Sequence, residues 1–266
     1  MRGARTLSLA LVRRYATALA LLVVVPATPD GAVSAEDYPD HPVKIVVPFA
    51  AGGTADAIPR LVGDWLSRKW GQPVVIENRT GAAGNIGAEF VYHSTPDGYT
   101  LLASPPPPLV INQNLYPKLG FDPARFEPVI VMAHVPDALI VNPGKLGAST
   151  VPAFVDDLRK HPENVGAATQ GNRTTSHLTA ELFQMMAKVT LRSIPYRGSA
   201  PALQGLLAGE INAAVNEALR QAEVQERLKK LSAETFGGSA EEAADHMRQG
   251  IRRWGDVIKA ATVSLQ

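Results

Sequence analysis

Two stretches of this sequence put small, amide-presenting and hydroxylated residues where an anion is readily held. "PFAAGGTAD" (48–56) follows a β-branched run and precedes apolar residues at helical spacing, Ile58, Leu61, Val62, Trp65 and Leu66. A strand turning through glycines into a helix aims unpaired N–H groups and the positive end of the helix dipole at one spot. "ATQGNRTTSHL" (168–178) repeats the arrangement, with Gly171-Asn172 as the turn and Thr174, Thr175 and Ser176 around a helix start. Ordinary N-capping needs one hydroxyl, not three. No G-x-x-x-x-G-K-[ST] occurs, and "GAAGNIG" (81–87) lacks the dinucleotide spacing. A small carboxylate fits such lysine-free loops better than a polyphosphate does.

Catalytic constellations are missing. There is no G-x-S-x-G elbow, and "RGSAP" (197–201) lacks its second glycine. His177 and Glu181 lie one helical turn apart without an H-E-x-x-H, so His177 reads as a surface or capping residue rather than a metal ligand. The expectation is a binding protein, with no enzyme activity, metal or cofactor.

The elements that position these loops alternate. Val43–Val47, Val74–Glu77 and "PDGYTLLAS" read as strands separated by helices, which implies a parallel sheet with right-handed crossovers. Thr54 is expected to cap the first helix and Gly71 to stop it. "PPPP" (105–108) and the Asn- and Pro-rich passage to Pro123 promise no regular element, which places an interdomain connection there. A second α/β unit follows: "VPAFVDDLRKHP" as helix, "NVGAATQGN" as strand and loop, "TTSHLTAELFQMMAK" as helix with Leu178, Leu182, Phe183 and Met186 on one face, "LRSIPYRGSAP" as strand and turn, then a helix to Ala208. After Gly209-Glu210 a strand is due. The Ala- and Glu-rich "NAAVNEALRQAEVQERL" (212–228) reads instead as helix. Ala244, Met247, Ile251, Trp254 and Ile258 mark a final helix, with Trp254 in the core.

Arg2, Arg5, Arg13 and Arg14, the apolar run to Val25 and Val33-Ser34-Ala35 read as an export signal cleaved after about Ala35, which puts the mature chain in the periplasm. Removing 35 of 266 residues leaves 231 and takes the net charge from +1 to −2, with no basic patch for nucleic acid. Zero cysteines exclude disulfides and thiolate chemistry.

"YPDHPVKIVVPFAAGGTAD", "GQPVVIENRTGAAGNIGA", "PDGYTLL", "NLYPKLGFDP" and "SHLTAELF…IPYRGSAPALQGLLAGE", with the closing "GGSAEEAADHMRQGIRRWGDVIKAA", resemble the periplasmic binding proteins of tripartite tricarboxylate transporters, the Bug family. The resemblance implies a two-domain α/β Venus-flytrap fold of the periplasmic-binding-protein type II. A monomer captures a small organic carboxylate in the interdomain cleft and delivers it to the large and small permease subunits of the membrane. Carried onto this sequence, the cleft residues are Phe49, Gly52, Gly53, Thr54 and Asp56 from the first loop and Thr169, Gly171, Asn172, Arg173, Thr175 and His177 from the second. Ser104, Tyr196 and Ser199 line the same cleft.

Three departures stand out against the family. "PPPP" removes four N–H donors from the cleft wall. Arg173 replaces a residue that is small in relatives, so it either pairs with a ligand carboxylate or bars access. Third, "LLAGE" runs directly into a closing helix, which reads as an internal deletion near residues 209–212. The expected domains are 36–123 with 212–266, and an incomplete 124–211 lacking a strand. The alternative function is a truncated, non-binding paralog acting as an interaction or sensor protein at the membrane.

Overall fold

The computed structural model describes residues 38–135, 137–162, 165–217 and 239–260. The expected export signal and residues 218–228 of the helix read over 212–228 lie outside them.

The first sheet is built on β1 (Val43–Val47), which pairs in parallel with β2 (Val74–Asn78) and β3 (Thr100–Leu102) in the order β2-β1-β3. Val43, Val46 and Val47 are fully buried, as a central strand covered on both faces requires. Helix α1 (Thr54–Trp70) follows β1, and its Gly63 lies so close to the sheet that a Cβ there would stand 3.1 Å from Ile76 and 3.2 Å from Val74. Gly71 ends α1 in the left-handed conformation, its N–H donating to Ser67 O at 3.0 Å. Helix α2 (Asn85–Tyr92) joins β2 to β3. The β-α-β-α-β reading of the sequence is therefore what the chain forms.

Two details differ. The N-cap of α1 is Gly53, while Thr54 is the first helical residue and is buried. The proline run does carry a regular element: Pro107–Ile111 form one turn of π-helix, followed by a 3-10 turn at Asn112–Asn114. Prolines are tolerated there because the first N–H groups of a helix have no intrahelical acceptor to lose.

The second sheet has the order β4-β7-β5-β6, with β4 (Asp137–Val141) antiparallel to β7 (Ala213–Glu217), and β5 (Gly166–Thr169) parallel to both β7 and β6 (Arg192–Pro195). Helices α3 (Val151–Lys160), α4 (Thr175–Ala187) and α5 (Ser199–Leu207) connect them. Here the sequence reading is corrected. The strand due after Gly209 is present as β7, inside the sheet, and it carries the second unit past the boundary expected at residue 211. Gly209 (φ 73) ends the helical stretch, with Glu210 N–H donating to Gly205 O. Asn212 then ties three strands together: its N–H donates to Gly166 O, its Oδ1 accepts from Gly166 N–H, and its carbonyl accepts from Asn142 N–H.

The reason for the misreading is local. Ala213 and Ala214 have low strand propensity, but propensity in a sheet mostly reports packing. Ala213 joins Ala167, Phe154, Leu158 and Val165 on one face, and Ala214 joins Ala168, Ala202, Leu206 and Ile211 on the other. Helices close over both faces of this strand pair, and small side chains let them approach.

Helix α6 (Ala240–Ala260) begins with a capping box: Ser239 Oγ accepts from Glu242 N–H, and Glu242 Oε2 accepts from Ser239 N–H. Its Met247, Ile251, Trp254 and Ile258 pack with Val110, Ile111, Leu115 and the α4 residue Leu178, so Trp254 is a core residue as expected. Leu178 and Phe183 of α4 are turned inward, but Met186 is 74% exposed and leaves the expected apolar face.

Candidate functional site

The loops after β1, β5 and β6 all leave the C-terminal ends of their strands, where open α/β sheets bind ligands. The structure brings the first and third together. A Cβ on Gly53 would stand 3.2 Å from Ser199 Oγ, one on Gly198 would stand 3.5 Å from Ala50 Cβ, and one on Gly52 would reach Ala200. The start of α1 thus faces the start of α5. Neither helix has a side-chain cap, nor do α2 and α4. In contrast, the α3 cap Thr150 accepts from Ala153 N–H.

Asp56 holds the first loop in shape. It is 4% exposed, and its Oδ2 accepts from Gly52 N–H (3.0 Å) and Arg60 Nε (2.9 Å), while Oδ1 accepts from Asn78 Nδ2 (2.9 Å). Asn78 Nδ2 also donates to Phe49 O at 2.9 Å. Burial alone pushes the Asp56 carboxyl up, but the hydrogen bonds from Arg60, Gly52 and Asn78 and the charge of Arg60 outweigh it, so it lies below the ordinary aspartate range. Asp56 sits beneath the loop, tying it to α1 and β2. Phe49 closes over Gly84, where a Cβ would lie 3.1 Å from both the Phe49 ring and Pro108.

On the second loop, Thr169 ends β5 fully buried, and its hydroxyl has no hydrogen-bond partner among the described residues. Its carbonyl accepts from Tyr196 N–H at 2.9 Å, and a Cβ on Gly171 would lie 3.4 Å from Tyr196 O, so the β5 and β6 loops form one continuous wall. Thr174 Oγ1 donates to Gly171 O, Ser176 Oγ accepts from Gln170 N–H, and Asn172 is exposed. Thr175 opens α4. His177 Nδ1 accepts from Arg173 N–H at 3.3 Å while its Nε2 lies 3.7 Å from Glu181. The Tyr196 ring is turned into the second core beside Gly205. Ser104 Oγ donates to Pro105 O.

Two participants were not among the expected residues. Asn78 could have been found, since it ends β2 in register with Val47, beside the first loop. Tyr116, whose ring centre lies 4.6 Å from the Arg173 guanidinium carbon, gives no local signal. A separate groove of about 730 Å³ runs between α2 and β3, lined by Arg79, Glu89, Phe90 and Thr100 among others, and contains none of the expected site residues. Among the described residues, no group of three or more His, Asp or Glu is placed to hold a metal ion.

The sequence profile described as "tripartite tricarboxylate transporter family receptor", TctC, matches residues 58–232. The chain belongs to the TctC family. The protein BugT of Bordetella pertussis is 37% identical over 183 residues, 68% of this chain and 56% of BugT. A protein from the tcbD-tcbE intergenic region of a Pseudomonas species is 33% identical over 210 residues, 79% of this chain and 61% of that protein. The chain thus spans less than two thirds of the length of these relatives. Among solved structures, "R. palustris Rpa4515 with adipate" superimposes with a TM-score of 0.78 at 29% identity, covering 85% of this chain and 99% of the other. The TctC family is one of solute-binding receptors rather than enzymes, and the α/β fold of this member matches its periplasmic binding proteins.

Proposed function

We propose that this chain is a periplasmic receptor that captures a small organic carboxylate between the two sheets and delivers it to the permease subunits of a tripartite tricarboxylate-type transporter. The observation that carries the reading is the meeting of uncapped helix starts at Gly53 and Ser199. The positive ends of two helix dipoles meet there, which favours a carboxylate. The R. palustris relative with adipate supports the same chemistry. In this reading Gly53, Thr54 and Ser199 grip the carboxylate, Asp56 positions the first loop through the Gly52 N–H, and Thr169, Gly171, Asn172, Thr175 and His177 build the opposing wall.

The short span relative to BugT favours an internal loss as well. Since β7 is in place, we put that loss after Glu217 rather than at residues 209–212. The second reading follows from it: a chain that has lost capture and acts at the membrane as an interaction protein. Calorimetric titration of the purified chain with a panel of mono-, di- and tricarboxylates separates the two. The receptor reading expects one-to-one binding with a Kd of about 1 μM, near −8 kcal/mol. Silence across the panel from folded protein favours the second.

A further inference from the structure

The geometry points to Arg173 as the residue that selects a ligand bearing a second carboxylate, an inference that rests on the capture reading above. Arg173 has left-handed backbone (φ 63), a conformation rare for a residue with a side chain and found where surroundings hold it. Two interactions hold it here. Its N–H donates to His177 Nδ1, and its guanidinium lies over the Tyr116 ring. Tyr116 follows the 3-10 turn of the first unit, which is fastened to the loop before α2 by Asn112 Nδ2, a donor to Ala83 O. The side chain therefore reaches from the second unit's wall to the first unit.

No carboxylate among the described residues pairs with this guanidinium. An aromatic face stabilises a cation without neutralising it. It also occupies only one face of the planar group, so the in-plane N–H donors remain suited to a bidentate carboxylate. Nearby His177 does not compete: burial lowers its pKa, Glu181 only partly opposes this and Arg173 lowers it further, which favours the neutral imidazole.

The wall carrying Arg173 is the one that ends at Ser199, because the β5 loop abuts Tyr196. It offers partial positive charge at the helix starts and a full positive charge at Arg173. A monocarboxylate uses only the first; a dicarboxylate uses both.

The test is calorimetry on the full chain with adipate and with hexanoate, which has the same carbon count and one carboxylate. A charge-assisted pair at a half-buried site is worth roughly 10- to 100-fold, so the unaltered chain should prefer adipate by that factor. In Arg173→Met the preference should fall to about one through loss of adipate affinity, with hexanoate changed less than about twofold. Arg173→Lys, which keeps the charge but not the fork, should fall between. Equal affinities in the unaltered chain, or a preference that survives in Arg173→Met, overturns the role of Arg173 and leaves capture standing. Failure to bind either acid overturns capture, and this inference with it.

Discussion

Replacing Asp56 with alanine should lower the stability of this chain by about 3 kcal/mol and its Tm by roughly 10 °C. The carboxylate is nearly inaccessible and satisfies the Gly52 N–H, Asn78 Nδ2 and Arg60 at once. Its removal leaves donors of the first loop and of β2 without an acceptor, and unmade bonds at buried groups cost more than made ones gain. Arg60 is about half exposed and finds water, so its share is small. The effect also has a sign in pH. The folded carboxyl titrates below its unfolded value, so its contribution is present above about pH 4 and is lost as pH falls through the folded pKa. Thermal melts of the unaltered and Asp56→Ala chains should therefore differ most above about pH 5 and converge in acid. A gap that stays constant to pH 3 would mean that the charge of Asp56 does not hold the loop.

Gly53→Val should do the reverse, leaving the fold and removing the ligand. The backbone at Gly53 is extended (φ −91, ψ −179), a conformation valine prefers, so no strain arises in the loop. Its Cβ would instead press on Ser199, 3.2 Å from Oγ and 3.5 Å from Cβ, and its methyls would crowd the contact between the two helix starts. Overpacking of this size costs about 1–3 kcal/mol, which falls on closure and so on affinity, roughly 5- to 150-fold. Titration with adipate alongside a melt checks it. Unchanged affinity would show that the Gly53–Ser199 contact is not part of the binding state.

How much of this was legible depended on the range of the interactions. The first sheet could be read because Val43–Val47 is a β-branched run ended by a proline and followed by glycines and a helical apolar pattern, all local signals. The two strand-to-helix loops after β1 and β5 could be read for the same reason. The strand β7 could not, because Ala213 and Ala214 are strand residues only by virtue of two helices closing over them. The one-turn helix in the proline run was hidden likewise: Pro107 and Pro108 are buried, and Val110 and Ile111 of the same turn sit in a core completed by α6, which lies far along the chain. The roles within the site were harder than its location. Asp56 looks like a ligand contact from its loop position, and only the register that sets Asn78 beside Val47 shows it to be a tie. Arg173 over Tyr116 joins residues of different units, and no pattern in either segment announces it.

The central claim is that one carboxylate sits between the starts of α1 and α5. Amide ¹H–¹⁵N mapping of the purified chain during an adipate titration tests it most directly. The account predicts saturable shifts concentrated at Gly53, Thr54, Ala55, Ser199 and Ala200, extending along the wall to Arg173. Shifts confined to the groove between α2 and β3, around Arg79, Phe90 and Thr100, or no saturable shift at millimolar adipate, would contradict it.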